Sequence, residues 1–366
     1  MKNKLIIFSY DFPPSNGGIA RLCYEIAQGM YSRYDEVIVL TRSKKGPQKP
    51  YDKSLFKIKY LPFKRFNCEL IAWWYLLTLK NKKNYTLLCG LWHPEAFLAL
   101  LAGFKKINVL VHGAELISGD SHFRKRFWLG IYAKNLLKGM TIIANSDYTT
   151  SLIKKIIPKS NILTLPLAVN QNFFKPSKKT SSKKIIFGTV SRILRFKGHD
   201  FILKTLNGLS KNQLSKLEWH VAGTGPYLET LKMKVIELGL EKTVFFHGFI
   251  PDQQLVTFYN SLDCFILCTR QTEKSNHVEG FGLVFLEAQS CGVPVIGTKS
   301  GGIPSAVKNQ NGGWLIEQDS EKELNRLFNK ILSNPISLKN QARLARERVL
   351  RECTWNMYCE KLRKNI

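Results

Sequence analysis

The chain has 366 residues, of which 44% are hydrophobic. This length suits two α/β domains, and the composition excludes a disordered or fibrous protein. The 55 Lys and Arg against 27 Asp and Glu leave a net charge of +28, which favours phosphate-bearing partners or anionic lipid surfaces, unless it reflects only a general richness in lysine.

In the first half of the chain, short apolar runs alternate with segments of helical spacing. The runs are 4–9, 36–41, 85–89, 107–111 and 140–144. This alternation predicts a parallel sheet. The helix after the first run has a buried face with a period of 3.6 residues. That face consists of Ile19, Leu22, Cys23, Ile26, Ala27 and Met30.

A second alternating series predicts a second parallel sheet. Its runs are 184–190, 217–222, 243–246, 264–267 and 293–296. The segment 170–184 between the two series is rich in Lys, Ser and Asn and lacks periodicity, which is typical of a linker. We therefore predict an N-terminal domain (1–172), a linker (173–184), a C-terminal domain (185–350) and a C-terminal helix (351–366) that packs back on the first domain.

The apolar stretches, the cysteines and the lysines indicate where in the cell the protein is located and which partners it binds. The most apolar stretches, 70–79 and 96–104, are too short to span a bilayer, and no cleavage site follows residues 1–9, so a cytoplasmic protein is expected. Eight cysteines without a paired CxxC motif predict buried reduced thiols and no zinc site. The lysines accompany no zinc-finger, basic-zipper or RNA-binding signature, so no specific nucleic-acid partner is expected.

Glycines before predicted helices mark possible phosphate sites, because backbone N–H groups and the positive helix end approach an anion there. Gly17 and Gly18 follow the first strand. Gly223 and Gly225 follow the second strand of the second series. Gly280, Phe281 and Gly282 lead into a helix that begins at Leu283. Each of these turns is also compatible with a purely structural role.

Charged residues near these turns are candidate ligands. Glu279 and Glu287 have the spacing to hold two sugars, because each carboxylate can accept hydrogen bonds from a sugar diol. The alternative is that Glu279 only caps the helix and Glu287 is a solvated residue on its surface. Arg192 and Lys197 follow a strand, where two cations offset the charge of a diphosphate leaving group, unless they are solvated. His112 ends a strand at the expected ligand crevice, unless it is structural.

Taken in order, these residues resemble the retaining glycosyltransferases of family 4. The matching motifs are Phe12-Pro13-Pro14 with Gly17-Gly18, Val111-His112-Gly113, Asn145-Ser146, Ser191-Arg192 with Lys197-Gly198, 222–226, His247-Gly248-Phe249, and Glu279 to Glu287. The run 278–295 is similar to bacterial mannosyltransferases of the phosphatidylinositol type. One departure is Ser305, where the family usually has glutamate after the second glycine pair.

The resemblance implies an α/β protein of GT-B architecture, in which two Rossmann-like domains have parallel sheets facing across an interdomain cleft. It assigns Gly17 and Gly18 to the donor phosphate, Arg192 and Lys197 to the diphosphate, Glu279 to the transferred sugar and Glu287 to the ribose. His112 would lie beside the reacting carbon. Gly223, Gly225 and the loop Gly280, Phe281, Gly282 and Leu283 would complete the donor site. The family works without metal, and this chain has no Asp-x-Asp motif.

The implied activity is transfer of a hexose from a nucleotide-diphosphate sugar to a glycan or lipid-linked acceptor in cell-envelope synthesis. GDP-mannose is slightly favoured over UDP-hexoses. The stretch 70–79, with Trp73 and Trp74 among lysines, is either an interfacial membrane helix or a buried core helix, and 123–138 is a second membrane candidate. Alternative functions are a sugar-nucleotide epimerase and a non-catalytic nucleotide-sugar or membrane-surface binding protein.

Overall fold

The structure is a computed structural model and describes residues 3–15, 17–43, 55–117, 123–179, 182–271 and 277–366. It divides into two compact units. The first contains Met1–Leu165 and Trp355–Ile366, and the second contains Pro166–Thr354.

The described residues of the first unit form a seven-stranded parallel sheet with the order β3-β2-β1-β4-β5-β6-β7. The strands are β1 (Lys4–Phe8), β2 (Glu36–Arg42), β3 (Lys57–Leu61), β4 (Tyr85–Cys89), β5 (Ile107–Val111), β6 (Thr141–Ala144) and β7 (Asn161–Thr164). Every residue of β5 is buried, as expected for a parallel strand that is covered on both faces. The five predicted strands are confirmed. β3 and β7 were missed because edge strands are only partly buried and lack the apolar run.

Helices cover both faces of this sheet. They are α1 (Gly18–Met30), α2 (Arg65–Thr78), α3 (Phe97–Leu101), α4 (Lys134–Leu137) and α5 (Asp147–Ile156), with π-helical segments Trp92–Ala96 and Arg124–Ala133. The predicted apolar face of α1 is buried except for Ile19, which is half-buried. One core cluster joins α2, α3, Arg124–Ala133, α4 and α5, so these elements lie side by side on one face of the sheet.

α2 is not a buried core helix. It buries only Cys68, Ala72 and Leu76, while Trp74 is 60% exposed and Phe66 is 77% exposed. The segment Arg124–Ala133 and the residue before it likewise expose large apolar side chains, namely Phe123, Phe127 and Ile131. Among the described helices, none is long and apolar enough to cross a membrane.

The second unit contains a six-stranded parallel sheet with the order β10-β9-β8-β11-β12-β13, counted over its described residues. The strands are β8 (Ile185–Val190), β9 (Leu217–Ala222), β10 (Val244–Gly248), β11 (Cys264–Leu267), β12 (Val295–Thr298) and β13 (Gly313–Ile316). The helices are α6 (His199–Asn207), α7 (Lys211–Leu214), α8 (Leu228–Glu237), α9 (Asp252–Ser261), α10 (Leu283–Ser290), α11 (Ile303–Ala306), α12 (Glu321–Ser333) and α13 (Ile336–Glu352). The five predicted strands are again confirmed, with shifts of up to two residues at their ends. β13 was missed because it begins at Gly313, within a glycine turn that conceals the start of its apolar run.

The division between the units lies at Leu165, upstream of the predicted linker at 173–184. Residues after Leu165 pack within the second unit, where the N–H of Val169 donates to the carbonyl of Cys353 at 2.9 Å. The ring of Phe174 is fully buried and lies edge-on to Tyr259. Phe174 therefore anchors the predicted linker in the second unit, while residues 173, 175–178, 182 and 183 are exposed.

The last helix, α14 (Trp355–Asn365), belongs to the first unit. It packs against α1, where Cys359 lies directly against Gly29. Arg33 donates a hydrogen bond of 2.6 Å to the side chain of Asn356. All eight cysteines are buried and unpaired, as predicted.

Candidate active site

In a doubly wound sheet the loops that follow neighbouring strands meet at the carboxyl edge, where ligands bind. Hydrogen bonds connect these loops in the second unit. The N–H of Ile193, after β8, donates to the carbonyl of Thr224, after β9, at 2.9 Å. The N–H of Arg270, after β11, donates to the carbonyl of Phe196 at 2.7 Å. The candidate residues on these loops are therefore held at one edge.

The structure brings Lys197 and Glu279 together. Lys197 Nζ lies 2.6 Å from Glu279 Oε2, and only 15% and 16% of the two side chains are exposed. Phe196 beside this pair stacks on His277 with a centroid separation of 5.2 Å. Because the pair is shielded from solvent, its charges interact more strongly than a surface ion pair would. The sequence predicted both residues as candidates but not their contact.

Two glycine turns are required by packing. Gly223 has a φ of 135°, and a Cβ at this position would overlap the carbonyl oxygen of Ser191. A Cβ at Gly225 would overlap the carbonyl oxygen of Ile193. The close approach of the loops after β8 and β9 explains both glycines, so their presence is not by itself a sign of a bound phosphate.

The loop before α10 fixes the two glutamates. The carbonyl of Glu279 accepts a 2.8 Å hydrogen bond from the N–H of Gly302, and Gly282, with a φ of 88°, is the N-cap residue of α10. Glu287 is 6% exposed, and Oε2 accepts a 2.8 Å hydrogen bond from the hydroxyl of Tyr259. Glu287 is therefore a buried carboxylate that Tyr259 orients, and not a solvated helical residue.

Arg192 lies in the loop after β8, and its side chain is exposed. It makes no ion pair with any residue that the structure describes. It therefore shares the carboxyl edge with Lys197 and Glu279 without joining their pair.

Sequence reasoning missed three buried polar side chains at this edge. The hydroxyls of Thr269 and Ser300, which follow β11 and β12, are buried without a hydrogen-bond partner among described residues. His199 at the start of α6 contacts the hydroxyl of Ser191 at 3.2 Å through Nε2. Burial lowers the pKa of His199 to about 4, so its ring is neutral at physiological pH. No local sequence pattern distinguishes these three residues from other polar residues, so only their burial identifies them.

His112 is fixed at the carboxyl edge of the first unit's sheet. Its Nε2 lies 3.0 Å from the carbonyl oxygen of Gly90, so Nε2 carries the proton and Nδ1 keeps its lone pair in the neutral ring. The backbone N–H of His112 donates to Glu115 Oε1 at 2.6 Å, and Asn145 donates to the carbonyl of His112.

Gly17 and Gly18 differ from the glycines of the second unit. A Cβ at either position would meet no described atom within 4 Å. Packing among described residues therefore does not require glycine here, and contact with a donor phosphate stays a prediction. Asn16, which precedes them, lies outside the described residues.

Glu95, also missed from the sequence, is a fully buried carboxyl in the first unit. Its Oε1 accepts a 3.2 Å hydrogen bond from the N–H of Tyr10, and Oε2 has no partner among described residues. Burial raises the pKa of Glu95 to about 7, although hydrogen bonds from the backbone N–H groups of Glu95 and Tyr10 lower it in part. A single carboxylate within the apolar stretch 91–104 was the signal, because glutamate is rarely buried completely.

We expect Glu95→Gln to stabilise the protein above pH 7. The folded pKa of about 7 exceeds the ordinary 4.5, so the stabilisation present below pH 4.5 is lost as pH rises towards 7. Glutamine removes this loss, and the gain in free energy of unfolding reaches about 3 kcal/mol at pH 8 and falls close to zero at pH 4.5. Urea unfolding across this pH range measures the difference, with the exposed Glu347→Gln as control. A difference that does not vary with pH contradicts the assignment.

Within the described parts of the chain, no group of three or more His, Cys, Asp or Glu side chains is arranged to hold a metal ion. A metal-free site stays a prediction.

Comparison with known proteins identifies the class. The model of "Glycosyltransferase Family 4" matches residues 16–173, and that of "Glycosyl transferases group 1" matches 170–348. A GDP-mannose-dependent α-(1-6)-phosphatidylinositol monomannoside mannosyltransferase of Mycolicibacterium smegmatis is 26% identical over 90% of each chain. A GDP-mannose-dependent monoacylated α-(1-6)-phosphatidylinositol monomannoside mannosyltransferase of Corynebacterium glutamicum is 26% identical over 98% of this chain and 96% of its own.

Solved structures show the same fold. Sucrose-phosphate synthase of Thermosynechococcus elongatus has a TM-score of 0.78 at 18% identity, over 99% of this chain and 98% of that one. Anabaena HepE in complex with UDP has a TM-score of 0.77 at 18% identity over the same shares.

The two parallel sheets with their covering helices, together with these likenesses, define a glycosyltransferase of the GT-B fold class, as the sequence predicted. The chain belongs to glycosyltransferase family 4.

Proposed function

We propose that the protein transfers a hexose, with retention of configuration, from a nucleotide-diphosphate sugar to a glycan or lipid-linked acceptor of the cell envelope. The observation that carries this proposal is the shielded Lys197–Glu279 pair, 2.6 Å apart at the carboxyl edge of the second sheet. GDP-mannose is the favoured donor because the full-length relatives are named as GDP-mannose-dependent enzymes. The UDP and UDP-glucose complexes of HepE support nucleotide-sugar binding in general.

The proposed roles follow from the chemistry of each group. Lys197 and the exposed Arg192 stabilise the negative charge that the diphosphate gains as the bond to the anomeric carbon breaks. The Glu279 carboxylate accepts hydrogen bonds from sugar hydroxyls, while Lys197 holds it in place. Glu287, oriented by Tyr259, accepts from the ribose hydroxyls. The loop from Gly280 to Leu283 completes the donor site, and we assign further donor contacts to Gly17, Gly18 and His112.

In the proposed step the acceptor oxygen bonds to the anomeric carbon on the face from which the diphosphate leaves. The acceptor proton passes to a β-phosphate oxygen of the departing diphosphate. Atoms and charge balance without a protein nucleophile. We further propose that Arg192 and Lys197 supply the positive charge without a divalent ion.

A thermal-shift screen of the full chain against GDP-mannose, GDP-glucose, UDP-glucose and UDP-N-acetylglucosamine tests donor binding. We expect one donor, at a hundred times its dissociation constant, to stabilise the protein by about 2.7 kcal/mol. Glu287→Ala should abolish the shift because it removes the carboxylate assigned to the ribose. Glu347→Ala, which removes a half-exposed carboxylate paired with Arg343 on the surface, should leave the shift unchanged.

The absence of a shift with every donor contradicts the proposal. Product analysis with the donor that binds then distinguishes the alternatives. A glycoside that retains the donor's anomeric configuration, formed equally well with a chelator present, supports retaining, metal-free transfer. A free sugar-nucleotide isomer indicates an epimerase, and binding without turnover indicates a non-catalytic protein.

We propose a cytoplasmic location, with the protein peripheral on the inner face of the cell membrane. The relatives named above act on phosphatidylinositol mannosides, which are membrane lipids. The exposed apolar side chains of α2 suit such a location.

A further inference from the structure

The residues that follow β5 and β6 need partners for their backbone polar groups beyond the end of the sheet. The ladder between these two strands ends with the pair Val111 and Ala144. His112 and Asn145 are the next residues, and backbone N–H and C=O groups that are screened from water are nearly always hydrogen-bonded. The Asn145-Ser146 motif of the sequence has no part in the roles proposed above.

Side chains replace the ladder at His112. Its N–H donates to Glu115 Oε1 at 2.6 Å, and its carbonyl accepts a hydrogen bond from Asn145 Nδ2 at 3.2 Å. The next residue, Gly113, has a φ of 106°, so the chain turns directly after His112. The two contacts therefore fix the peptide groups on both sides of the His112 Cα, and with them the direction in which the ring leaves the backbone.

The amide of Asn145 is oriented by the start of α5. Asn145 is 6% exposed, and its Oδ1 accepts a 2.7 Å hydrogen bond from the hydroxyl of Thr149. Ser146, which caps α5 by accepting from the N–H of Thr149 at 3.1 Å, lies beside this contact. A flipped amide would place two oxygens against each other at His112. Asn145 therefore presents its nitrogen to His112 and connects this residue to α5.

The ring of His112 has a fixed acceptor in the loop after β4. Its Nε2 lies 3.0 Å from the carbonyl oxygen of Gly90. Gly90 is held against β1, since its N–H donates to the carbonyl of Phe8 at 2.8 Å and a Cβ at this position would overlap the side chain of Ser9. If the His112 backbone turned, the ring would lose this contact, because Gly90 cannot follow it.

We propose that Asn145 is a positioning residue for the transfer reaction, which acts by holding the carbonyl of His112, and that Glu115 holds the N–H of His112 for the same purpose. Together they keep the imidazole where Nε2 meets Gly90 and Nδ1 stays available to a ligand hydroxyl. Such support matters because a displacement of about 1 Å can lower a rate about 100-fold. The inference rests on the proposed function only through the role of His112.

Asn145→Asp tests the proposal. It keeps the shape of the side chain but replaces the donor with a carboxylate oxygen that faces the His112 carbonyl. Donor turnover by the full chain is measured as released nucleoside diphosphate, with whichever of GDP-mannose and UDP-glucose gives a thermal shift. We expect kcat to fall roughly 10- to 100-fold. The KM for the donor should change less, because the donor keeps its contacts with groups other than His112.

Asn108→Asp is the matched control. Asn108 is also 6% exposed, and its Nδ2 donates to the carbonyl of Leu87 at 3.0 Å. It lies near the start of β5, at the opposite end of the strand from His112. Both variants lose the same kind of buried hydrogen bond, so urea unfolding should show similar losses of stability. Only Asn145→Asp should lower kcat.

The ring of His112 provides a readout that needs no substrate. In a chain with isotope-labelled histidine, the Nε2 proton that binds the Gly90 carbonyl should give an NMR signal in water, because a hydrogen-bonded proton exchanges slowly. The signal is assigned by its loss in His112→Gln. We expect it in the unsubstituted chain and in Asn108→Asp, and we expect it to disappear in Asn145→Asp.

Glu115 provides a test that does not depend on the folding of Asn145→Asp. Glu115→Ala removes the acceptor of the His112 N–H and should lower kcat roughly 10-fold, as for the loss of one hydrogen bond to a charged group. Glu115→Gln keeps an oxygen at this position and should restore most of the lost turnover. Equal losses in the two Glu115 variants would mean that the hydrogen bond to His112 is not what matters.

Two results would overturn the role of Asn145. One is a kcat that Asn145→Asp leaves normal or lowers no more than Asn108→Asp does. The other is a lowered kcat with the Nε2 proton signal retained, because Asn145 would then not act through His112. If no donor stabilises the unsubstituted chain, the proposed function fails, and the NMR comparison by itself decides whether Asn145 positions His112.

Discussion

Lys197→Ala is expected to lower kcat for glycosyl transfer on the order of 10² to 10³-fold, the usual cost of removing one fixed group that stabilises transition-state charge. The substitution removes a cation from the leaving diphosphate. It also leaves the carboxylate of Glu279, now 2.6 Å from Lys197 Nζ, without its counter-ion beside a negatively charged donor. Both effects are greatest in the transition state, so kcat should fall more than KM rises.

Initial-rate kinetics with the donor found by thermal shift measure this effect. Lys204→Ala is the matched control, because Lys204 Nζ also lies 2.6 Å from a glutamate, Glu321, but its side chain is 70% exposed. Surface ion pairs contribute little, so the control should retain its rate. If Lys197→Ala raises KM and leaves kcat unchanged, Lys197 only binds the donor and the assigned catalytic role is wrong.

The second large effect concerns stability. Gly198 precedes α6 with a φ of 78°, and a Cβ there would overlap the carbonyl oxygen of Cys268 at the end of β11. We expect Gly198→Ala to lower the free energy of unfolding by roughly 4 kcal/mol or more, because the side chain adds backbone strain and displaces a buried loop. Urea unfolding of the full chain, followed by circular dichroism, measures the loss.

Gly239→Ala separates strain from overlap. Gly239 also has a positive φ, 64°, but a Cβ there would meet no atom within 4 Å. Only the conformational cost of about 1 to 2 kcal/mol is then expected. If the two variants lose the same free energy of unfolding, the backbone at Cys268 moves at little cost to admit the new Cβ. The loop after β8 is then not rigidly packed against the residues that follow β11.

Strands that are marked by a local run of apolar residues could be predicted from the sequence. All ten predicted strands exist, and most of them are apolar runs that are buried on both faces of a sheet. The edge strand β10 is only partly buried. β3 was missed because Lys57 and Lys59 break its apolar pattern, and β13 because it begins within a glycine turn at Gly313. Edge strands are defined by a neighbour, which the local pattern does not show.

The site illustrates the same limit. Lys197 and Glu279 were identifiable from their positions after strands and beside glycines, but their contact joins residues 82 positions apart. Gly223 and Gly225 were read as phosphate ligands, and the structure shows a packing reason that only tertiary contact reveals. The hydroxyls of Thr269 and Ser300 became notable only once their burial was known.

The C-terminal helix α14 has a consequence for biosynthesis. It completes the first unit with Trp355, Tyr358, Cys359 and Leu362, all buried, yet it is synthesised after the whole second unit. The first unit emerges with its groove beside α1 unfilled and stays so while almost two hundred further residues are synthesised. The second unit is contiguous and acquires its complete core earlier. Truncation after Thr354 would thus damage the unit that is synthesised first.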